Sequence, residues 1–256
     1  MTQSISVEGT TLECRWVGAA TAGQASLVLL HEGLGSVSLW RDFPDRLAAL
    51  TGREVFAYSR RGYGGSDGIE LPRPLDYQDR EAALLPRVLE AAGIERAVLI
   101  GHSDGATIAL AHAATAPADL VAVVAMAPHS FVEGLTLAGI RAAREAYLAG
   151  PLRARLARHH GDQVDSAFWG WNDAWLDPGF TRLDLRPRLA EIRVPLLVIQ
   201  GEEDEYGTAL QVETIVDAVA GARPLLLPDC RHSPHRDQPE RVLAAIGDFL
   251  AGIALL

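Results

Sequence analysis

Three side-chain types that together can run nucleophilic chemistry follow one another along the chain. They are Ser103 within GHSDG (101–105), Asp204 within QGEEDEYG (200–207) and His232 within CRHSPHRDQPE (230–240). A serine hydroxyl is a weak nucleophile; it needs a base beside it, and the base needs an acid to orient it. Ser103 sits between an apolar run, AVLI (97–100), and a stretch of small helix-forming residues, ATIALAHAATA (106–116). Gly-x-Ser-x-Gly at such a strand-to-helix junction presents the hydroxyl on a sharp turn. The glycines let strand and helix approach closely, and amides at the start of the helix favour developing negative charge. Asp204 shares its loop with Glu202, Glu203 and Glu205, and its position three residues past Gly201 favours it. His232 competes with His235, which is read as a hydrogen-bonding neighbour.

These residues need a scaffold that gathers them. Near-continuous apolar runs at 26–30, 54–58, 97–100, 120–126, 196–200 and 223–227 predict strands of a parallel sheet covered on both faces. Segment 76–92 opens on Asp76 and stops before Gly93, which predicts a helix with a kink at Pro86. Segment 237–252 predicts the last helix. Asp237 and Glu240 read as its capping box, and Val242, Leu243, Ile246, Phe249 and Leu250 share one face. Ile5, Val7, Leu12 and Trp16 alternate weakly, as in an antiparallel hairpin turned at Glu8-Gly9. Strands alternating with helices predict an α/β fold, a mostly parallel doubly wound sheet. One stretch breaks the rhythm, which gives a core of 1–128 and 191–256 with a helical insertion at 129–190.

Composition narrows the function classes. The chain has 256 residues, 48% apolar and 22% charged, enough for a substantial core. A formal charge of −10 argues against nucleic-acid binding, which wants a basic stripe. The start, MTQSISVEGTTLE, lacks the pattern of a secretory signal, and no apolar stretch is long enough to span a bilayer. Cys14 and Cys230 stand far apart and form neither a disulfide framework nor a metal cluster, so a reducing cytoplasm is expected. The oligomeric state is open, a homodimer being one option.

Beyond the three loops already quoted, LVLLHEGLGS (27–36) and SRRGYGGSD (59–67) complete a pattern similar to the α/β-hydrolase fold superfamily from about residue 10 onward. The resemblance implies that Ser103 is the nucleophile, His232 its base and Asp204 the acid. It also implies an oxyanion hole made by the amides of Asp104 and of Gly33, with Leu34 the alternative to Gly33. Two departures stand out: Glu32 replaces a customary glycine, and Arg231 stands where a glycine usually precedes the histidine. Glu32 either puts a carboxylate at the pocket mouth or faces solvent. Asp104 either favours an amine or hydroxyl on the substrate or joins a hydrogen-bond network that fixes the turn. SRRGYGGSD reads as scaffold tied by Arg61 and Asp67. His102 is expected to pack away from Ser103, and His112, His159 and His160 to lie on helix faces without chemistry.

The insertion corresponds to a cap that walls the pocket, with Trp171 and Trp175 touching substrate beside Leu34 and Glu32. The implied activity is a serine hydrolase acting on a small-molecule carboxylic ester, thioester or lactone, with neither metal nor organic cofactor. The alternatives are carbon–carbon bond hydrolysis of a ring-fission product, or slow-turnover ligand binding or signalling on the same fold.

Overall fold

The computed structural model describes residues 3–253, save the side chains of 181 and 182. The outermost residues of the expected core, 1–2 and 254–256, therefore lie outside the described residues. The chain opens with a hairpin of β1 (Gln3–Val7) and β2 (Thr10–Val17). Its two-residue turn holds Glu8 at φ 50° and Gly9 at φ 80°, the left-handed pair whose twist suits a tight hairpin.

Strand β3 (Ser26–Leu30), helix α1 (Phe43–Thr51), β4 (Val55–Tyr58), α2 (Tyr77–Ala92), β5 (Ala97–His102), α3 (Asp104–Ala113) and β6 (Leu120–Met126) follow in alternation. Helix α2 runs unbroken through Pro86. After β6 come four helices with short 3₁₀ turns among them: α4 (Gly134–Ala149), α5 (Leu152–His160), α6 (Val164–Leu176) and α7 (Arg186–Leu189). The chain then returns to the sheet with β7 (Leu196–Gly201), α8 (Leu210–Ala218), β8 (Arg223–Leu227), α9 (Pro234–Asp237) and α10 (Pro239–Ile253).

The eight strands of the described residues form one sheet in the order β1-β2-β4-β3-β5-β6-β7-β8. The β1–β2 and β2–β4 pairings are antiparallel, and every other pairing is parallel. The expected doubly wound α/β sheet is thus what the chain forms. Central strands β3, β5 and β7 are buried throughout because helices cover both faces. One apolar layer joins the sheet to α2, α3 and α8; the other joins it to α1 and α10.

Helix α10 contributes Val242, Leu243, Ile246, Phe249 and Leu250, the stripe read from the sequence. Burying each is worth about 1.5–3 kcal/mol, so an acidic residue at Ile246 would unseat the helix. The capping box at its start is a correction. Asp237 ends α9 and accepts the backbone N–H of Arg231 at 2.9 Å, while Glu240 pairs with Arg46. Pro239 opens α10 and carries no N–H for a cap to satisfy.

The insert between β6 and β7 is helical, and its two ends are tied together. Phe131 bridges to Asp184, and the Leu185 N–H donates to the Ser130 carbonyl at 2.7 Å. It has an apolar cluster of its own, including Ile140, Tyr147, Phe168, Trp171, Trp175 and Phe180, which also takes in Tyr77 of α2.

Candidate active site

Ser103 lies between the last residue of β5 and the first of α3, with φ 53° and ψ −116°. A non-glycine residue in that region is strained and persists only where its surroundings hold it. Here the Ser103 N–H donates to the Met126 carbonyl of β6 at 2.9 Å. Gly101 and Gly105 are needed for proximity. A Cβ on Gly105 would collide with the Leu30 carbonyl of β3, and one on Gly101 with the backbone of 105–106.

The loops after β7 and β8 bring the acid and the imidazole to this turn. His232 Nε2 lies 2.9 Å from Ser103 Oγ, and its Nδ1 lies 2.8 and 3.0 Å from the two oxygens of Asp204. With the proton on Nδ1 donated to Asp204, Nε2 is free to accept from the hydroxyl. Asp204 is itself fixed by the Tyr206 N–H at 2.8 Å and by Gln200 Nε2 at 3.2 Å. Burial pushes the Asp204 carboxyl up, but the charge and hydrogen bond of His232 outweigh it and hold it below the usual range. Burial likewise pushes His232 down, yet the Asp204 carboxylate leaves it above an ordinary histidine. The two directions agree. Glu205 stands apart from the relay, accepting the His232 N–H at 3.2 Å and pairing with Arg231 at 3.0 Å.

A cavity of about 240 Å³ opens above Ser103. Glu32, Gly33, Leu34, Asp104, Trp171 and Trp175 all line it, as do Tyr206 and His129. Among the described residues the backbone N–H groups of Gly33, Leu34 and Asp104 make no hydrogen bond, which leaves them available to an anion. Gly33 lies directly under Trp171; a Cβ there would run into the indole.

The loop carrying Gly33 is clamped from both sides. From the core, the buried Arg60 donates to the carbonyls of His31 at 2.6 Å and Glu32 at 3.0 Å. From the insert, His160 Nε2 donates to the Leu34 carbonyl at 3.0 Å while its Nδ1 accepts the Gly64 N–H at 3.0 Å. His159 also reaches across, its Nδ1 lying 2.8 Å from Ser38 Oγ. Neither histidine is the idle helix-face residue expected from the sequence. His112 is also buried and bonded, its Nδ1 donating to the Ala82 carbonyl at 3.1 Å.

Asp104 turns its side chain into a network. Its Oδ2 accepts from the Tyr77 hydroxyl, and its Oδ1 accepts from Gln78 at 3.0 Å and Trp175 at 3.2 Å. Of the two readings of this residue, the geometry matches the network. Glu32 faces the cavity rather than bulk solvent, with Oε2 3.5 Å from His102 Nδ1. Burial raises the Glu32 carboxyl, but the neighbouring imidazole of His102, with His31 and His235, holds it well below the usual range.

His102 does more than pack: its Nε2 donates to the His232 carbonyl at 2.7 Å. His235 corrects the expectation of a hydrogen-bonding neighbour. Among the described residues its ring makes no hydrogen bond and instead packs between Trp40 at 4.9 Å and His102 at 4.8 Å between centroids. Arg61 and Asp67 tie their loop as expected, through the Gly68 carbonyl at 2.8 Å and the Thr11 N–H at 2.7 Å.

Among the described residues no group of three or more histidine, cysteine or carboxylate side chains is placed to hold a metal ion. Cys14 and Cys230 are buried free thiols, and no described helix is long and apolar enough to cross a membrane.

Comparison with known proteins follows the same lines. The sequence pattern of the alpha/beta hydrolase family matches residues 27–245. The mouse serine hydrolase BPHL is 25% identical over 259 residues, covering 96% of this chain and 85% of that protein. A proline iminopeptidase of Lactobacillus delbrueckii subsp. bulgaricus is 25% identical over 279 residues, covering 93% of each. Among solved structures, the enol-lactonase from Burkholderia xenovorans LB400 superposes with a TM-score of 0.74 at 22% identity. It covers 97% of this chain and 100% of its own, a likeness of fold.

Proposed function

Because the chain belongs to the alpha/beta hydrolase family and is an enzyme of hydrolase type, we propose that it cleaves a small carboxylic ester, thioester or lactone through an acyl-enzyme on Ser103. The observation that carries this reading is the unbroken line of hydrogen bonds from Ser103 Oγ through the His232 ring to Asp204. His232 Nε2 takes the hydroxyl proton as Oγ attacks the carbonyl carbon. The resulting oxyanion sits against the N–H groups of Asp104 and Gly33, with Leu34 next in line. Each such donor is worth roughly 3–4 kcal/mol of barrier. When the carbon–oxygen or carbon–sulfur bond breaks, His232 returns the proton to the leaving group. Water then attacks the acyl carbon, His232 again taking its proton, and the acid and free serine are released.

Residues 129–190 act as a cap in this scheme, with 1–128 and 191–256 as the core that carries the reacting groups. The tied ends of the insert and its two cavity-facing tryptophans support that division. A cavity of about 240 Å³ suits a compact substrate rather than a polymer.

A fluorophosphonate probe and a p-nitrophenyl ester test the reading together. The expected result is stoichiometric labelling at Ser103 and turnover that Ser103→Ala abolishes. Active protein left unlabelled at Ser103 would overturn the mechanism, and a single slow turnover per site would point to a binding protein.

A further inference from the structure

His129 stands out among the cavity residues because its place in the chemistry above is unfilled. It follows the end of β6 and is 2% exposed, yet lines the cavity over Ser103. Its backbone is held on both sides by one hydroxyl. Thr107 Oγ1 accepts the His129 N–H at 3.1 Å and donates to the His129 carbonyl at 3.0 Å. The ring leans edge-on against Trp175, centroids 5.2 Å apart, and lies 5.7 Å from the His232 ring. Nδ1 is buried without a partner, and among the described residues neither ring nitrogen makes a hydrogen bond. Buried polar atoms are nearly always paired, and an unpaired one at a rigid site costs about 1–3 kcal/mol. Nδ1 is closed off from the cavity, so Nε2 is the nitrogen that something entering the cavity would meet.

The chemistry of that group follows from charge. Burial first, then the charge of His232, pushes His129 down to about 3, so the ring is neutral and offers no cation to an anionic group. Three carboxylates, Glu32, Asp104 and Glu205, line the same cavity and further disfavour an anion. Each has polar or charged neighbours of its own, Asp104 in Tyr77, Gln78 and Trp175, Glu32 in the His102 ring at 3.5 Å and Glu205 in Arg231 at 3.0 Å. The neutral ring of His129 adds no charge that would draw an ion of either sign. An uncharged polar group remains. A neutral imidazole carries one donor and one acceptor, and nothing on the protein fixes which nitrogen holds the proton. A hydroxyl, itself both donor and acceptor, matches either tautomer.

We propose that His129 is a specificity-determining residue that hydrogen-bonds a hydroxyl carried by the acyl part of the substrate, near the scissile carbonyl. This rests on the hydrolase reading and deepens it: the preferred substrate is a short hydroxyacyl ester, thioester or lactone. A site built to bond a hydroxyl discriminates against the analogue lacking it, because its own polar group is then left unpaired.

The test compares p-nitrophenyl 3-hydroxybutyrate with p-nitrophenyl butyrate on wild type, His129→Leu and His129→Asn. The expected ratio of kcat/KM in wild type is about tenfold in favour of the hydroxylated ester. It should fall to near one in His129→Leu and be partly kept in His129→Asn, which retains a donor and an acceptor. A wild-type ratio near one overturns the proposal, whether or not the variants fold. So does a preference that His129→Leu leaves intact. Absence of Ser103-dependent turnover on both esters would overturn the hydrolase reading and this inference with it, whereas equal turnover of both defeats the inference alone.

Discussion

The Trp175 indole N–H, from the helical insert, donates to Asp104 Oδ1 at 3.2 Å, so the residue after Ser103 is held from across the cavity. Tyr77 and Gln78 of α2 complete the grip on the same carboxylate. Hydrogen bonds to a buried charge are stronger than neutral ones, and removing a donor leaves the charge under-compensated. Tyr77→Phe is therefore expected to lower the unfolding free energy by about 1.5–3 kcal/mol. Urea denaturation measures this, and a midpoint matching wild type would show that the Tyr77 bond adds nothing.

The contact between His160 and the Leu34 carbonyl predicts a kinetic effect from a residue that touches no substrate. His160→Leu should loosen the loop carrying Gly33 and reduce kcat by about tenfold, a fraction of what losing a whole oxyanion donor costs, with little change in KM. Glutamine can donate to Leu34 and accept from Gly64, so His160→Gln should recover much of the loss. Equal kcat for the leucine and glutamine variants would rule out this positioning role.

On the proposed mechanism Asp204 should govern both rate and pH response. The carboxylate is the main influence raising His232 against the opposing effect of burial. The base works only when neutral, so the acid limb of kcat/KM in wild type should lie above 6.5. Asp204→Asn should cut kcat roughly 10³–10⁴-fold and move that limb to lower pH. A limb that stays in place would mean another group sets it.

Stability should fall on mild acidification. His31, His112, His129, His159, His160 and His235 are all held below the ordinary value of 6.5, burial being the first cause in each. For a histidine lowered in the native state, the unfolded chain binds the extra proton between the two values, so stability rises with pH across that window. Their contribution is complete above 6.5 and is lost as pH drops below it. His232 runs the other way: its contribution is full below 6.5 and is lost as pH rises through its higher native value. Six against one predicts a lower urea midpoint at pH 5.5 than at pH 7. Equal midpoints would show that these rings take up protons without unfolding.

Much of the scaffold was legible because burial on both faces writes itself as uninterrupted apolar runs. SLVLL and AVLI became β3 and the body of β5, and the Glu8-Gly9 turn closed the hairpin. The approach of Ser103, His232 and Asp204 was legible because each sits in a short loop directly after a strand. What escaped reading was set by tertiary packing alone. Nothing in SRRGYGGSD tells which of two adjacent arginines turns inward, yet Arg60 clamps the 31–32 carbonyls while Arg61 stays at the surface. His160 and His129 look like any histidine at a helix end or strand end, and only the folded chain shows what each ring faces. The capping box failed for a local reason: an N–H six residues upstream claimed the Asp237 carboxylate.

Having its own apolar cluster, the insert looks detachable, a part that could be traded between homologous scaffolds to retarget a catalyst. The bonds from His160 to Leu34 and from Trp175 to Asp104 say otherwise. A transplanted lid lacking counterparts of those two rings would arrive without the struts that brace the machinery beneath it. Grafting here must therefore carry both struts along, or accept a slower enzyme whatever the new lid recognises.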